Sequence, residues 1–187
     1  MIKIHFINWW TQSQPYGDFF HRFIERYINQ DVVFDHENPD IVFCSVFGHR
    51  DTIIRWIKNH PKCFSIFFTG ECLNIPRWSQ YKGHLLDVVN LALGFEYIDH
   101  KNYMRFPLWL TYIDIQGMGK ASLPFKQLQA PQIPQKQKFC CLLNNHDFYH
   151  TRTEVFHAIT TYKNIDSAGG WNKTVQYKIP EGEHHKQ

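Results

Sequence analysis

Cys63-Phe64-Ser65-Ile66-Phe67-Phe68, followed at once by Thr69-Gly70-Glu71, decides how this chain is read. The apolar run from Cys63 to Phe68 has the length and composition of a buried strand. It ends abruptly in a small residue, a glycine and a carboxylate. In an open α/β sheet, ligands bind in the crevice beyond the carboxyl ends of the strands. A glutamate delivered there on a tight turn is placed to take a proton from an incoming hydroxyl. The alternative is a capping or solvated carboxylate at a strand end.

Short apolar strands alternate with helical patterns on either side of this run. Ile2 to Ile7 reads as a first strand, Asp31 to Phe34 as a second and Ile41 to Phe47 as a third. Between them, Phe19, Phe20, Phe23, Ile24, Tyr27 and Ile28 have helical spacing within Asp18 to Ile28. Thr52 to Lys58 is a further helical segment, stopped by Pro61. Leu85 to Phe95 holds another apolar run, closed by Gly94. The alternation predicts an α/β fold with a mostly parallel sheet and helices on both faces. Between Gln116 and Gln137 the composition shifts to Gly, Pro, Gln and Lys, which reads as a linker. A second α/β pattern follows, with a strand over Lys138 to Leu143, a loop at Asn144 to His150 and a helix over Thr151 to Tyr162.

The chain has 187 residues, 43% hydrophobic and 17% aromatic, enough to bury a core. Its net charge is +3, with acidic and basic residues interspersed and no basic stripe, which disfavours nucleic acid as a partner. Five cysteines with no C-x-x-C argue against a disulfide framework and against a cysteine zinc site. No stretch approaches the ~20 apolar residues that span a bilayer, and Met1 to Asn8 is too short and polar for a signal peptide. The expected location is the cytoplasm, at most peripheral to the inner membrane.

Three motifs carry little weight. Gly117-Met118-Gly119-Lys120 lacks the glycine spacing of a phosphate loop and lies in the linker. His146 and His150 straddle a loop–helix boundary with no third ligand, so they read as solvated histidines rather than metal ligands. Asn172-Lys173-Thr174 is a formal glycosylation sequon in a chain without a signal peptide. More informative is Asn8-Trp9-Trp10 at the end of the first strand, where paired indoles stack on sugar faces or serve as core anchors. Arg152 begins a helix directly after Asn144-Asn145, where a guanidinium and free N–H groups both favour an anion. A plain surface arginine is the alternative.

In order and spacing, these pieces resemble the family-10 glycosyltransferases, in particular the bacterial α1,3/1,4-fucosyltransferases. Asn8-Trp9-Trp10, Pro39 to Phe43, Phe68 to Glu71, Leu93 to Phe95, Arg105 to Leu108, Phe139 to Asn144, Arg152 and Asp166 to Gly170 carry the resemblance. It implies a GT-B architecture. Residues 1–116 would form a Rossmann-like acceptor-side domain, 117–137 the linker, and 138–187 the incomplete beginning of a GDP-fucose-binding domain. The implied reaction moves L-fucose from GDP-fucose, with inversion, to a hydroxyl of an N-acetylglucosamine-containing glycan of the lipopolysaccharide or Lewis-antigen kind. The resemblance makes Glu71 the general base, Arg152 and Asn144 donor-binding residues, and Trp9, Trp10 and Trp78 acceptor-binding residues, with no metal or other cofactor. Arg105 falls in a family motif with a structural role.

The chain departs from the family at three places. Asn90 stands where an acidic residue is common. The loop Cys72 to Gly83, with Trp78 and Tyr81, is longer and differently composed. The Phe-Glu-Asn and Tyr/Thr-Glu-Lys donor segments are absent. The chain is therefore expected to be a fucosyltransferase completed by a further segment or another subunit. The alternative is a truncated, inactive remnant that at most binds acceptor glycan.

Overall fold

The computed structural model describes residues 1–10, 19–114, 123–124, 135 and 138–175. It divides into two compact units, Met1–Pro124 and Phe125–Gln187. Most of the stretch read as a linker, including the glycines at 117 and 119, lies outside the described residues.

The first unit is built on a six-stranded sheet. In chain order come β1 (Ile2–Ile7), α1 (Phe19–Phe23), β2 (Val32–Phe34), β3 (Ile41–Cys44), α2 (Arg50–Asn59), β4 (Phe64–Phe68), β5 (Leu91–Gly94) and β6 (Tyr103–Arg105). The strands lie in the order β2-β1-β3-β4-β5-β6, and every pairing is parallel. All the carboxyl ends therefore share one edge. The chain leaves β1 in one direction to reach β2 and returns past it to β3, so the topological switch point lies between β1 and β3.

Both faces are covered, as a parallel sheet requires. On one face Val42, Cys44, Phe67 and Ala92 pack with Ile53 of α2 and with Tyr81. On the other Ile4, Phe43, Phe68 and Leu93 pack with Phe19, Phe20 and Ile24. The alternation along Phe67-Phe68 sends one ring to each core, which is why β4 reads as a continuous apolar run.

Several elements differ from the sequence reading for local reasons. The helix expected over Asp18 to Ile28 is α-helical only to Phe23. It widens into a π turn over Ile24–Ile28 and stops at Asn29, which takes the left-handed conformation at φ 52°. The third strand ends at Cys44 rather than Phe47, because the Ser45 hydroxyl donates to the Phe68 carbonyl at 2.8 Å and the Phe47 N–H donates to the Asn8 carbonyl. The apolar run from Leu85 breaks at Asn90, whose Oδ1 accepts from the Ser65 N–H at 2.8 Å and its hydroxyl at 2.9 Å. Asn90 thus pins the entrances of β4 and β5, on the edge opposite the carboxyl ends.

At the outer edge, Lys3 Nζ donates to Asp35 Oδ2 at 2.8 Å. That bond, followed by the Asn38 N–H, holds the Asp35 carboxyl down to about 2. Since the folded value lies below the ordinary ~3.9, the stabilisation from this pair is complete above that ordinary value and is lost as pH falls through about 2. An NMR titration of the side-chain carboxyl should find a midpoint near 2; one near the ordinary value would remove the ion pair from solution.

The second unit holds β7 (Cys141–Leu143), α3 (Thr151–Thr160) and β8 (Asp166–Ala168), with β7 and β8 paired in parallel. Phe156, Ile165 and Ala168 are buried, whereas Leu143 is 70% and Val155 50% exposed. A two-stranded sheet of this kind is marginal by itself.

Candidate functional site

Thr69-Gly70-Glu71 leaves the central strand β4 on a turn made by the Thr69 side chain. Thr69 is buried, and its Oγ1 accepts the Glu71 N–H at 2.9 Å, the usual device by which a hydroxyl imitates a backbone turn. Gly70 lies so close beneath Leu108 that a Cβ there would come within 2.8 Å of the Leu108 side chain. Buried Thr69 and crowded Gly70 fix the backbone, and Glu71 emerges half-buried at the carboxyl edge.

The loops after β1 and β3 meet beside it, at the switch point. Asn8 turns the chain out of β1 in the left-handed region, at φ 53°. Its Nδ2 donates to the His49 carbonyl at 2.9 Å and to the Tyr81 hydroxyl at 3.1 Å. Tyr81 in turn donates to the Gly48 carbonyl at 2.9 Å. Gln80 reaches the same loop, accepting the Arg50 N–H at 3.2 Å. Pro76–Tyr81 forms a 3-10 turn, and its Tyr81 locks the loop after β4 onto the loops after β1 and β3.

The tryptophans read from the sequence take different places. Trp9 is 5% exposed and is a core residue, edge-on to Phe6 at 4.8 Å and Phe20 at 5.9 Å. Trp10 stacks on it at 4.4 Å and stays half-buried. Trp78 is 8% exposed, with the Arg77 guanidinium 4.5 Å over its ring. Between Trp10 and Trp78 stands Phe47, 6.4 Å from the first and 5.4 Å from the second. It is 38% exposed. In the sequence Phe47 reads as the last residue of a strand. Its signal was an aromatic ring just before Gly48, where a strand run gives way to a turn.

In the second unit Asn144 follows β7 and Gly169-Gly170 follows β8. The Asn144 carbonyl accepts the Trp171 N–H at 3.1 Å, while its Nδ2 is buried with no hydrogen-bond partner. Arg152 is exposed and donates from Nη1 to the His146 carbonyl at 2.8 Å. The helix start is not open as the sequence suggested. Asp147 accepts the Arg152 N–H at 3.3 Å and the Thr153 N–H at 2.7 Å, so a carboxylate already occupies the amides expected to meet an anion. Any anion affinity here rests on the guanidinium and the Asn144 amide.

Among the described residues, no group of three or more His, Cys, Asp and Glu is placed to hold a metal ion. No helix among them is long and apolar enough to cross a membrane.

A family model described as the alpha-(1,3)-fucosyltransferase FucT N-terminal domain matches residues 4–112. A crystal structure of an alpha1,3-fucosyltransferase is similar with a TM-score of 0.60 at 16% identity, over 96% of this chain and 57% of that one. A second, of an alpha1,3-fucosyltransferase with GDP-fucose, gives a TM-score of 0.54 at 16% identity over 96% and 56%. The fold is thus GT-B-like, and the chain spans little more than half the length of these solved chains. None of the curated proteins matches it in sequence.

Proposed function

The chain belongs to the family of the alpha-(1,3)-fucosyltransferase FucT N-terminal domain, and from that premise we propose that it works in fucosyl transfer, its first unit binding the acceptor. The observation that carries this reading is Glu71, held by a buried turn at the carboxyl end of the central strand. The substrate pair is GDP-fucose and an N-acetylglucosamine-containing glycan.

In this reading Glu71 takes the proton from the acceptor hydroxyl as its oxygen attacks the anomeric carbon of fucose. The bond from that carbon to the diphosphate oxygen breaks, GDP leaves, and the configuration inverts. Acceptor stacking falls to Trp10 and Phe47 at the switch point, with Trp78 backing Phe47 and Trp9 supporting Trp10. Arg152 and the buried, unpartnered Asn144 amide would serve the diphosphate, whose developing charge needs fixed donors.

We expect Arg152→Ala to weaken GDP affinity by ~10-fold or more, the scale of a lost charge-assisted contact, and to leave acceptor affinity unchanged. Calorimetric titration with each ligand checks this, and equal losses for both would remove the diphosphate role. Asp147, seated on the α3 amides, favours a second reading in which the chain binds acceptor glycan without transferring to it. Assaying transfer from GDP-fucose to N-acetyllactosamine separates the two.

A further inference from the structure

We infer that Glu96 is a second carboxylate of the acceptor site, binding sugar hydroxyls, and that buried His84 is its positioning residue. This rests on the reading that the carboxyl edge of the first sheet receives the acceptor.

Glu96 follows β5, the strand beside β4. Phe68 and Leu93 pair across these strands, and Glu71 and Glu96 each lie three residues beyond them. Each carboxylate thus follows one of two adjacent strands at the carboxyl edge of the sheet. The segment that carries Glu96 is braced at three consecutive residues. Arg105 Nε donates to the Phe95 carbonyl at 3.0 Å. The Tyr103 hydroxyl donates to the Glu96 carbonyl at 3.1 Å. The Arg105 guanidinium then covers the Tyr97 ring at 4.4 Å.

The fourth brace comes from inside the fold. His84 is 2% exposed, yet its Nε2 stands 3.6 Å from Glu96 Oε2, whose side chain is 30% exposed. To reach that position His84 and Leu85 both adopt left-handed backbone, at φ 57° and 54°. Two successive non-glycine residues rarely hold that conformation, and such strain gathers at functional sites. Gly94 makes the room, since a Cβ there would stand 3.0 Å from His84 Nε2 and 2.8 Å from the Tyr103 hydroxyl.

His84 Nδ1 is buried with no hydrogen-bond partner. The ring proton therefore belongs on Nε2, directed at Glu96. Burial disfavours the imidazolium and lowers the His84 pKa, although Glu96 opposes this. At 3.6 Å a neutral ring packs against the carboxylate without a hydrogen bond, limiting where it can sit and leaving its charge intact. The outer oxygen is left as a strong acceptor for a sugar hydroxyl.

The test is calorimetric titration of N-acetyllactosamine, and separately of GDP, into the wild-type chain, Glu96→Ala and Glu96→Gln. The inference expects Glu96→Ala to weaken the disaccharide by ~10-fold or more, Glu96→Gln to weaken it less, and GDP affinity to be unchanged. Unaltered disaccharide affinity in Glu96→Ala overturns the inference while the acceptor reading stands. A folded wild-type chain that binds no disaccharide overturns the acceptor reading itself. Long-range nitrogen–proton NMR on the wild-type chain should show His84 as the Nε2–H tautomer; the Nδ1–H tautomer would overturn its positioning role.

Discussion

Replacing Glu71 by Gln should lower fucosyl transfer by ~10²-fold or more while leaving folding and acceptor affinity intact. The amide keeps the size and the hydrogen-bonding capacity of the side chain but no longer takes a proton at neutral pH, and a lost general base costs on this scale. Folding should be untouched, since the turn is made by the Thr69 hydroxyl and the Glu71 backbone N–H, neither of which the substitution alters. Because the loss is confined to proton transfer, it belongs in kcat rather than in KM. Unchanged turnover would remove Glu71 from the chemistry. A parallel loss of acceptor affinity would make it a binding residue instead.

Gly169→Ala should unfold the second unit. Gly169 sits at φ +96°, a region open to glycine and strained for alanine. An added Cβ would also run into the Asn144 carbonyl oxygen, 2.8 Å from its carbon and 3.0 Å from the Asn144 nitrogen. That backbone cannot yield without losing the Trp171 N–H bond to the Asn144 carbonyl and the Gly170 N–H bond to Asn145 Oδ1. Strain and overpacking together cost about 2–5 kcal/mol, more than a unit built on a two-stranded sheet can absorb. Amide exchange should show Cys141–Leu143 losing protection while β4 keeps it. Intact protection at both strands would contradict the account.

The fold was legible where one segment carries its own instructions. Cys63 to Phe68 has an apolar residue at almost every step because β4 lies between two cores, and its end at Thr69-Gly70 is a local turn. What escaped the sequence depends on partners far along the chain. In the sequence Trp78 reads as an acceptor-binding residue and Tyr81 as part of the same loop. They are anchors instead, because Phe47 and Asn8 reach them across dozens of positions. Phe47 was hidden for the converse reason, since the strand it seemed to extend is cut short by Ser45 bonding to Phe68. In the sequence Arg152 stands at a helix start whose amides read as open. Asp147 lies too far upstream to be read as their cap, and only the left-handed turn at His150, φ 59°, brings it back onto them. Glu96 and His84 carried no motif at all. Their meeting follows from the pairing of β4 with β5 and from the space left by Gly94.

The decisive measurement is NMR observation of the 187-residue chain incubated with GDP-fucose and N-acetyllactosamine, beside its Glu71→Gln variant. The account predicts that the wild-type chain releases GDP and forms a fucosylated trisaccharide of inverted anomeric configuration, and that the variant does so at least ~10²-fold more slowly. A folded wild-type chain that forms no fucoside, or one with retained configuration, would contradict it.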